Sequence, residues 1–329
     1  MAGRALAFSD KEIARLATEE YVPVAGDDWY QRRREDAEGE FYKKVSDQGP
    51  RRNTDGSTRQ GIYLFTASGK LLAYKNAQDA DVMREVLQRG LAEWKKLPAA
   101  ERRPGAVKVE ELTKTDARYT RKPPEGGLIL ATYTRILEDD DKGELCKGTC
   151  RFTGGDAAAR DHVWLTKADW ESLIPRSLEK GRTDKMPERV AAKLVRYHLI
   201  DNTRGEPEFW RPQEVRKLDV SMTTEELTDQ TMRLRIEGAA LLSTDLDTKR
   251  AKRGYDVALR GTLVYDVEKK AVTRFDLVAV GEHWGEGRYT PGARPGRKPL
   301  GVAFELAGDR PADRVPPQAA RDYEEYMGK

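Results

Sequence analysis

Over residues 61–97 the chain shows first the period of a strand pair and then the period of a helix. Gly-Ile-Tyr-Leu-Phe-Thr at 61–66 and Leu-Leu-Ala-Tyr at 71–74 are β-rich runs, and Ala-Ser-Gly-Lys at 67–70 between them supplies a glycine turn, which predicts a β-hairpin. A polar break at 76–81 follows. Val82, Met83, Val86, Leu87, Leu91 and Trp94 then recur at three- and four-residue steps, while Arg84, Glu85, Gln88, Arg89, Glu93 and Lys95 fall on the other side. That is an amphipathic helix, ended by Pro98.

Upstream, Ser9-Asp-Lys-Glu12 reads as a capping box opening a helix with Ile13, Leu16 and Ala17 buried. Tyr-Val-Pro-Val-Ala at 21–25 reads as a short strand, and a helix over 36–48 would bury Ala37, Phe41 and Val45 at four-residue steps. Residues 49–60 are rich in turn formers and predict an exposed loop.

The order helix, strand, helix, strand, strand, helix, with the wording Phe-Ser-Asp-x-Glu-Ile, Tyr-Val-Pro-Val and Gly-Ile-Tyr-Leu-Phe-Thr-Ala-Ser-Gly-Lys-Leu-Leu, resembles the exported thioredoxin-like proteins of bacteria over residues 5–97. The resemblance implies a thioredoxin fold, a Cys-x-x-Cys just before the first helix and a cis-proline before the hairpin. This chain has neither, and Gln60-Gly61 stands in the proline's place. Two readings follow: a degenerate module kept for binding or packing, or a thiol oxidoreductase whose upstream segment is missing from the stretch given. The first predicts a cytoplasmic protein, the second one of the periplasm or cell envelope.

Proline- and glycine-punctuated stretches at 98–105 and 121–127 bracket a junction. Beyond it the period changes to two. Strands are predicted at 128–137, at 231–242 (Met232, Leu234 and Ile236 against Arg233, Arg235 and Glu237), at 254–267 and 271–280 around Glu268-Lys-Lys, and at 300–306. Thr166 and Asp169 cap a helix burying Trp170 and Leu173, and Pro187 opens another with the stripe Val190, Ala191, Leu194, Val195 and Leu199. The fold class is therefore α+β: a thioredoxin-like α/β module over 1–100, a linker over 101–127, an antiparallel β-rich domain (curled sheet or open sandwich) with inserted helices over 128–310, and a polar tail over 311–329 with Tyr323 and Tyr326 to dock it.

The 329 residues carry 59 basic and 56 acidic side chains, a net charge of +3, and these are mixed along the chain. No basic stripe for nucleic acid emerges, and no run reaches the ~18–20 apolar residues of a membrane span. Another protein is the expected partner. With 38% hydrophobic and 35% charged residues the chain has a heavily charged surface.

Cys146-Lys-Gly-Thr-Cys150 is the sharpest local signal. Two thiols three residues apart close a local disulfide, hold a soft metal ion such as copper(I) or zinc, do redox work, or stand as ordinary thiols. No other cofactor is predicted. The histidines are His162, His198 and His283, none in zinc-binding spacing. His162 and His198 read as structural. His283 lies where a strand is expected to give way to a Gly-rich loop, with Glu282, Trp284, Glu286, Arg288, Arg294 and Arg297, a set suited to an anion or metal pocket. Asp201 and Arg204 form a second polar loop, after the His198 helix. The basic-aromatic run at 27–36, with Trp29, Tyr30, Arg32, Arg33 and Arg34, suits an anionic or planar ligand or simply a set of local ion pairs. Gly-x-Ser-x-Gly, Gly-x4-Gly-Lys and the dinucleotide fingerprint are all missing from the sequence. Three function classes result: an interaction or ligand-binding protein, a thiol-redox or metal-handling protein using Cys146 and Cys150, and a hydrolase or transferase around Glu282, His283 and Asp201.

Overall fold

The computed structural model describes residues 7–50, 58–77, 79–108, 114–146, 158–177, 179–203, 205–286 and 296–328. They divide into two compact units, Gly3–Arg121 and Lys122–Lys329, with the division inside the expected linker.

In the first unit, helix α1 (Lys11–Glu19) buries Ile13 and Leu16. Its cap is Asp10, not Ser9: the Asp10 carboxylate accepts from the amides of Glu12 and Ile13 at 3.0 Å each. Helices α2 (Asp28–Gln31) and α3 (Ala37–Ser46) follow. The hairpin forms as its pattern predicts, β1 (Ile62–Phe65) antiparallel to β2 (Leu71–Lys75), with Gly69 at φ +81° in the turn. Helix α4 (Ala80–Lys96) covers it, burying Met83, Val86, Leu87 and Gly90.

Two expectations here are corrected. Residues 21–25 form no strand. Pro23 removes a ladder donor from the middle of the run, and Val22 and Val24 stand 89% and 80% exposed. In α3 only Val45 of the predicted stripe is buried, because the Arg34–Asp36 ion pair is buried at the helix start while Phe41 meets Phe65 edge to face at the surface, 5.7 Å between ring centres. The unit is thus a two-stranded hairpin packed with helices.

The second unit is built on one eight-stranded, wholly antiparallel sheet. Its strands are β3 (Leu128–Ile136), β4 (Ala159–Leu165), β5 (Thr183–Lys185), β6 (Val215–Leu227), β7 (Thr231–Ser243), β8 (Arg253–Asp266), β9 (Ala271–Gly285) and β10 (Lys298–Leu306). The spatial order is β4-β3-β10-β9-β8-β7-β6-β5. Alternation puts Met232, Leu234 and Ile236 of β7, Val257, Leu259 and Leu263 of β8, and Phe275, Leu277 and Ala279 of β9 on one buried face. Neighbouring strands also approach closely at two glycines: a Cβ on Gly281 would lie 2.0 Å from the Asp256 carbonyl oxygen, and one on Gly261 would lie 2.3 Å from that of Asp276, so only glycine permits the approach.

Helix α5 (Lys167–Glu171) opens with the expected Thr166–Asp169 capping box. Helix α6 (Glu188–His198) lays Val190, Leu194 and Val195 into the core on the buried face of the sheet. The last helix among the described residues is α7 (Tyr323–Met327), where Tyr326 is 1% exposed. With Trp164, Tyr197, Ala319, Ala320 and Met327 it makes an apolar cluster separate from the sheet core.

Candidate functional site

The structure brings some of the sequence-predicted residues together and parts others. Strand β9 does not stop at Val280 but runs on to Gly285, so Glu282, His283 and Trp284 alternate between faces. His283 is buried on the core face beside the Tyr255 ring, 5.9 Å away, while Glu282 is exposed on the opposite face. Trp284 shares the Glu282 face, where it fills the space over Gly254 and lies 4.0 Å from the guanidinium of Arg297. Glu282, Trp284 and Arg297 thus meet on one face, with Arg297 3.8 Å from the Glu282 carboxylate, while His283 lies on the other. Glu286 is exposed, and Arg288, Arg294 and Arg204 lie outside the described residues. Asp201 is buried, and its carboxylate accepts from the amide and hydroxyl of Thr203 at 3.1 and 2.6 Å, holding the turn after α6.

Cys146 is buried and disulfide-bonded. Its carbonyl accepts from Arg135 at 2.8 Å, and Cys150 lies outside the described residues. Among the described residues no group of three or more His, Cys, Asp or Glu side chains is placed to hold a metal ion. The run at 27–36 is laced by its own contacts. Arg33 lies 4.3 Å over the Trp29 ring, Arg34 pairs with Asp36 at 2.6 Å, and Arg32 faces Asp28 at 3.7 Å.

The fold also brings side chains together around α6. The side of this helix turned away from the core carries Arg189, Lys193, Arg196 and Tyr197, steps of four and three residues that align on one face. Lys193 is buried. Its ammonium donates to the Asp169 carboxylate and to the Trp164 carbonyl, each at 3.3 Å, and stands 4.8 Å from the Tyr326 ring centre. Burial pulls the Lys193 pKa down, although Asp169 opposes the shift. Burial would raise the Asp169 carboxyl, but the Thr166 amide, Lys193 and Arg189 together hold it below the ordinary carboxylate value. Arg189 meets the other Asp169 oxygen at 2.8 Å.

Tyr326 is the hub of this region. Its hydroxyl accepts from the Trp164 amide at 3.0 Å and lies 3.2 Å from His198 Nε2. His198 in turn places Nδ1 3.7 Å from Asp161. Burial pushes the Tyr326 phenol far above its usual pKa, so it stays a neutral hydroxyl. Two ring nitrogens on the same face of β4, Trp164 Nε1 and His162 Nε2, are buried without a hydrogen-bond partner, an arrangement that costs ~1–3 kcal/mol per group.

Beside the hub opens a cleft of about 240 Å³ between the end of α6, residues 209–212 and the C-terminal segment. Tyr197 and Phe209 form its aromatic wall, edge to face at 5.4 Å and 67°, and Phe209 is half-buried. Arg196 is committed inward: it donates to the Trp210 carbonyl at 3.0 Å and to Glu325 at 2.9 Å. Arg211 is exposed at the rim. Asp322 and Glu325 line the opposite side from the C-terminal segment. Ligand pockets for drug-sized molecules run to ~300–1,000 Å³, so a space of this size suits one or two side chains of a larger partner.

No protein-family model, curated protein or solved structure matches this chain. The cleft residues carried one sequence signal, the second stripe of α6 at 189, 193, 196 and 197. Phe209, Arg211 and Asp322 carried none, because they meet only through the path of two loops.

Proposed function

We propose that the chain is an interaction protein whose cleft takes a short segment of another protein, one that offers an aromatic or aliphatic side chain with a carboxylate beside it. The observation that carries the reading is the half-buried Phe209, edge to face with the buried Tyr197, next to the exposed Arg211. An apolar side chain seats on the rings, and the guanidinium receives the acid at the rim, where charge sets specificity more than affinity. The N-terminal hairpin and α4 belong, on this reading, to a thioredoxin-like module kept without its cysteine pair.

The test is selection of a phage-displayed random 12-residue peptide library on the full chain, followed by titration of the enriched peptides. Enriched sequences should pair an aromatic or aliphatic residue with Asp or Glu, and Phe209→Ala should weaken them about tenfold or more, in line with the loss of one aromatic contact at a binding site. Peptides that bind wild type and Phe209→Ala alike would overturn the reading.

A further inference from the structure

The outer face of α6 already holds a peptide, and that peptide is the chain's own C-terminal segment. Arg189 donates to the Met327 carbonyl at 2.7 Å, Lys193 faces the Tyr326 ring, and Arg196 and the Tyr197 hydroxyl reach Glu325 at 2.9 and 3.2 Å. Three cations and one aromatic side chain of a single helix thus read Glu325, Tyr326 and Met327 in succession.

Three observations mark this as an occupied docking surface. The cluster around Tyr326 is separate from the sheet core, which closes without it. Helix α7 is five residues long, far short of the ~12–15 that give a helix stability of its own. Beneath it, Trp164 Nε1 has no acceptor and His162 Nε2 has no partner, so the resident segment leaves two buried polar groups unused.

We propose that the face formed by α6 and β4 is a docking site for an acidic, tyrosine-bearing segment of a partner protein, and that residues 319–328 are its resident occupant, displaced when the partner binds. This rests on reading the cleft as a peptide site, because the resident segment supplies the Ala319, Asp322 and Glu325 wall of that cleft. The acidic character of the partner segment follows from Arg196, which pairs with Glu325 of the resident, whereas Arg189 and Lys193 are already met by Asp169. An acceptor set opposite Trp164 Nε1 would give the partner a contact the resident lacks. A site occupied most of the time by a competitor shows a proportionately weakened apparent affinity, and loosening the competitor restores it.

The experiment titrates full-length protein into a fluorescein-labelled synthetic peptide, Gln-Ala-Ala-Arg-Asp-Tyr-Glu-Glu-Tyr-Met-Gly-Lys, and follows anisotropy. Tyr326→Ala in the full chain should bind the peptide at least tenfold more tightly than wild type. A peptide with both tyrosines replaced by alanine should not bind. Glu325→Arg, a change at an exposed side chain that reverses the charge facing Arg196, serves as the second variant if Tyr326→Ala loses its circular dichroism signal, and should also tighten binding. Equal titrations for wild type and both folded variants would overturn the proposal. If a selected peptide still bound all three proteins equally, in a Phe209-dependent way, the cleft reading would stand and the resident-segment proposal would fall. If Tyr326→Ala bound the synthetic peptide while no library peptide depended on Phe209, the cleft reading would fall as an independent site.

Discussion

Lys193 sets its ammonium 3.3 Å from the Asp169 carboxylate at a place where both side chains are almost wholly enclosed. A buried cation is tolerated only when a paired charge and hydrogen bonds replace its water. Asp169 does this while also capping α5 and meeting Arg189, so one carboxylate joins α5 and α6 and, through the Arg189 bond to the Met327 carbonyl, reaches the C-terminal segment that latches over them.

That sharing predicts an asymmetry. Asp169→Asn leaves Lys193 buried without a counter-charge and should cost ~3–5 kcal/mol. Lys193→Met should cost less, because Asp169 keeps Arg189 and the Thr166 amide. Urea denaturation followed by circular dichroism at neutral pH compares the two, and equal losses would contradict the account. With its folded pKa held below 3.8, Asp169 contributes stability that is present above that value and fades as pH falls through the folded pKa.

His162 gives a second pH signature, of different range. Burial lowers its pKa from 6.5, against the pull of Asp161 and Asp313 and with the push of Arg160 and His198. Below 6.5 the unfolded chain takes up a proton that the folded chain refuses, so stability is full above that pH and declines as pH drops. Replacing His162 by leucine should flatten the change in urea midpoint between pH 7.5 and pH 5.5. Parallel profiles for the two proteins would count against this residue.

Much of the sheet was legible because its strands alternate cleanly. Met232, Leu234 and Ile236 fall on one face as read, as does the hairpin around Glu268-Lys-Lys. Strand β6 escaped notice because Lys217, Asp219, Glu225 and Glu226 break its apolar period and register shifts interrupt its pairing. The end of β9 was less legible for a related reason. Its glycines read as a loop, whereas Gly281 lies inside a strand at a point of close approach and Gly285 closes it. The C-terminal latch was half-legible: Tyr326 suggested docking, but its partners Trp164, Lys193 and His198 are 162, 133 and 128 residues or so upstream, a separation no local pattern encodes.

The close strand approach at Gly281 can be tested. A methyl group there meets the Asp256 carbonyl oxygen at 2.0 Å and Val257 Cα at 2.6 Å, both backbone atoms that cannot rotate aside. Gly281→Ala should cost ~1–3 kcal/mol as an overpacking change. Gly301→Ala makes the control. Its nearest neighbour is the flexible Leu137 side chain at 3.2 Å, and its midpoint in urea should move far less.

Tyr326→Phe separates the hydroxyl of the latch from its ring. The phenylalanine keeps the packing against Trp164, Tyr197 and Met327 and the cation–π contact with Lys193. It removes the acceptor for the Trp164 amide and the partner of His198 Nε2. An orphaned buried donor costs ~1–3 kcal/mol, and each 1.4 kcal/mol is a factor of ten in a local opening equilibrium. Hydrogen exchange of the Trp164 amide should therefore speed up by roughly tenfold or more, while the amides of β7 and β8, paired within the sheet, keep their wild-type protection. Faster exchange spread evenly over the whole sheet would show instead that the C-terminal segment is part of the global fold and not a latch laid over it.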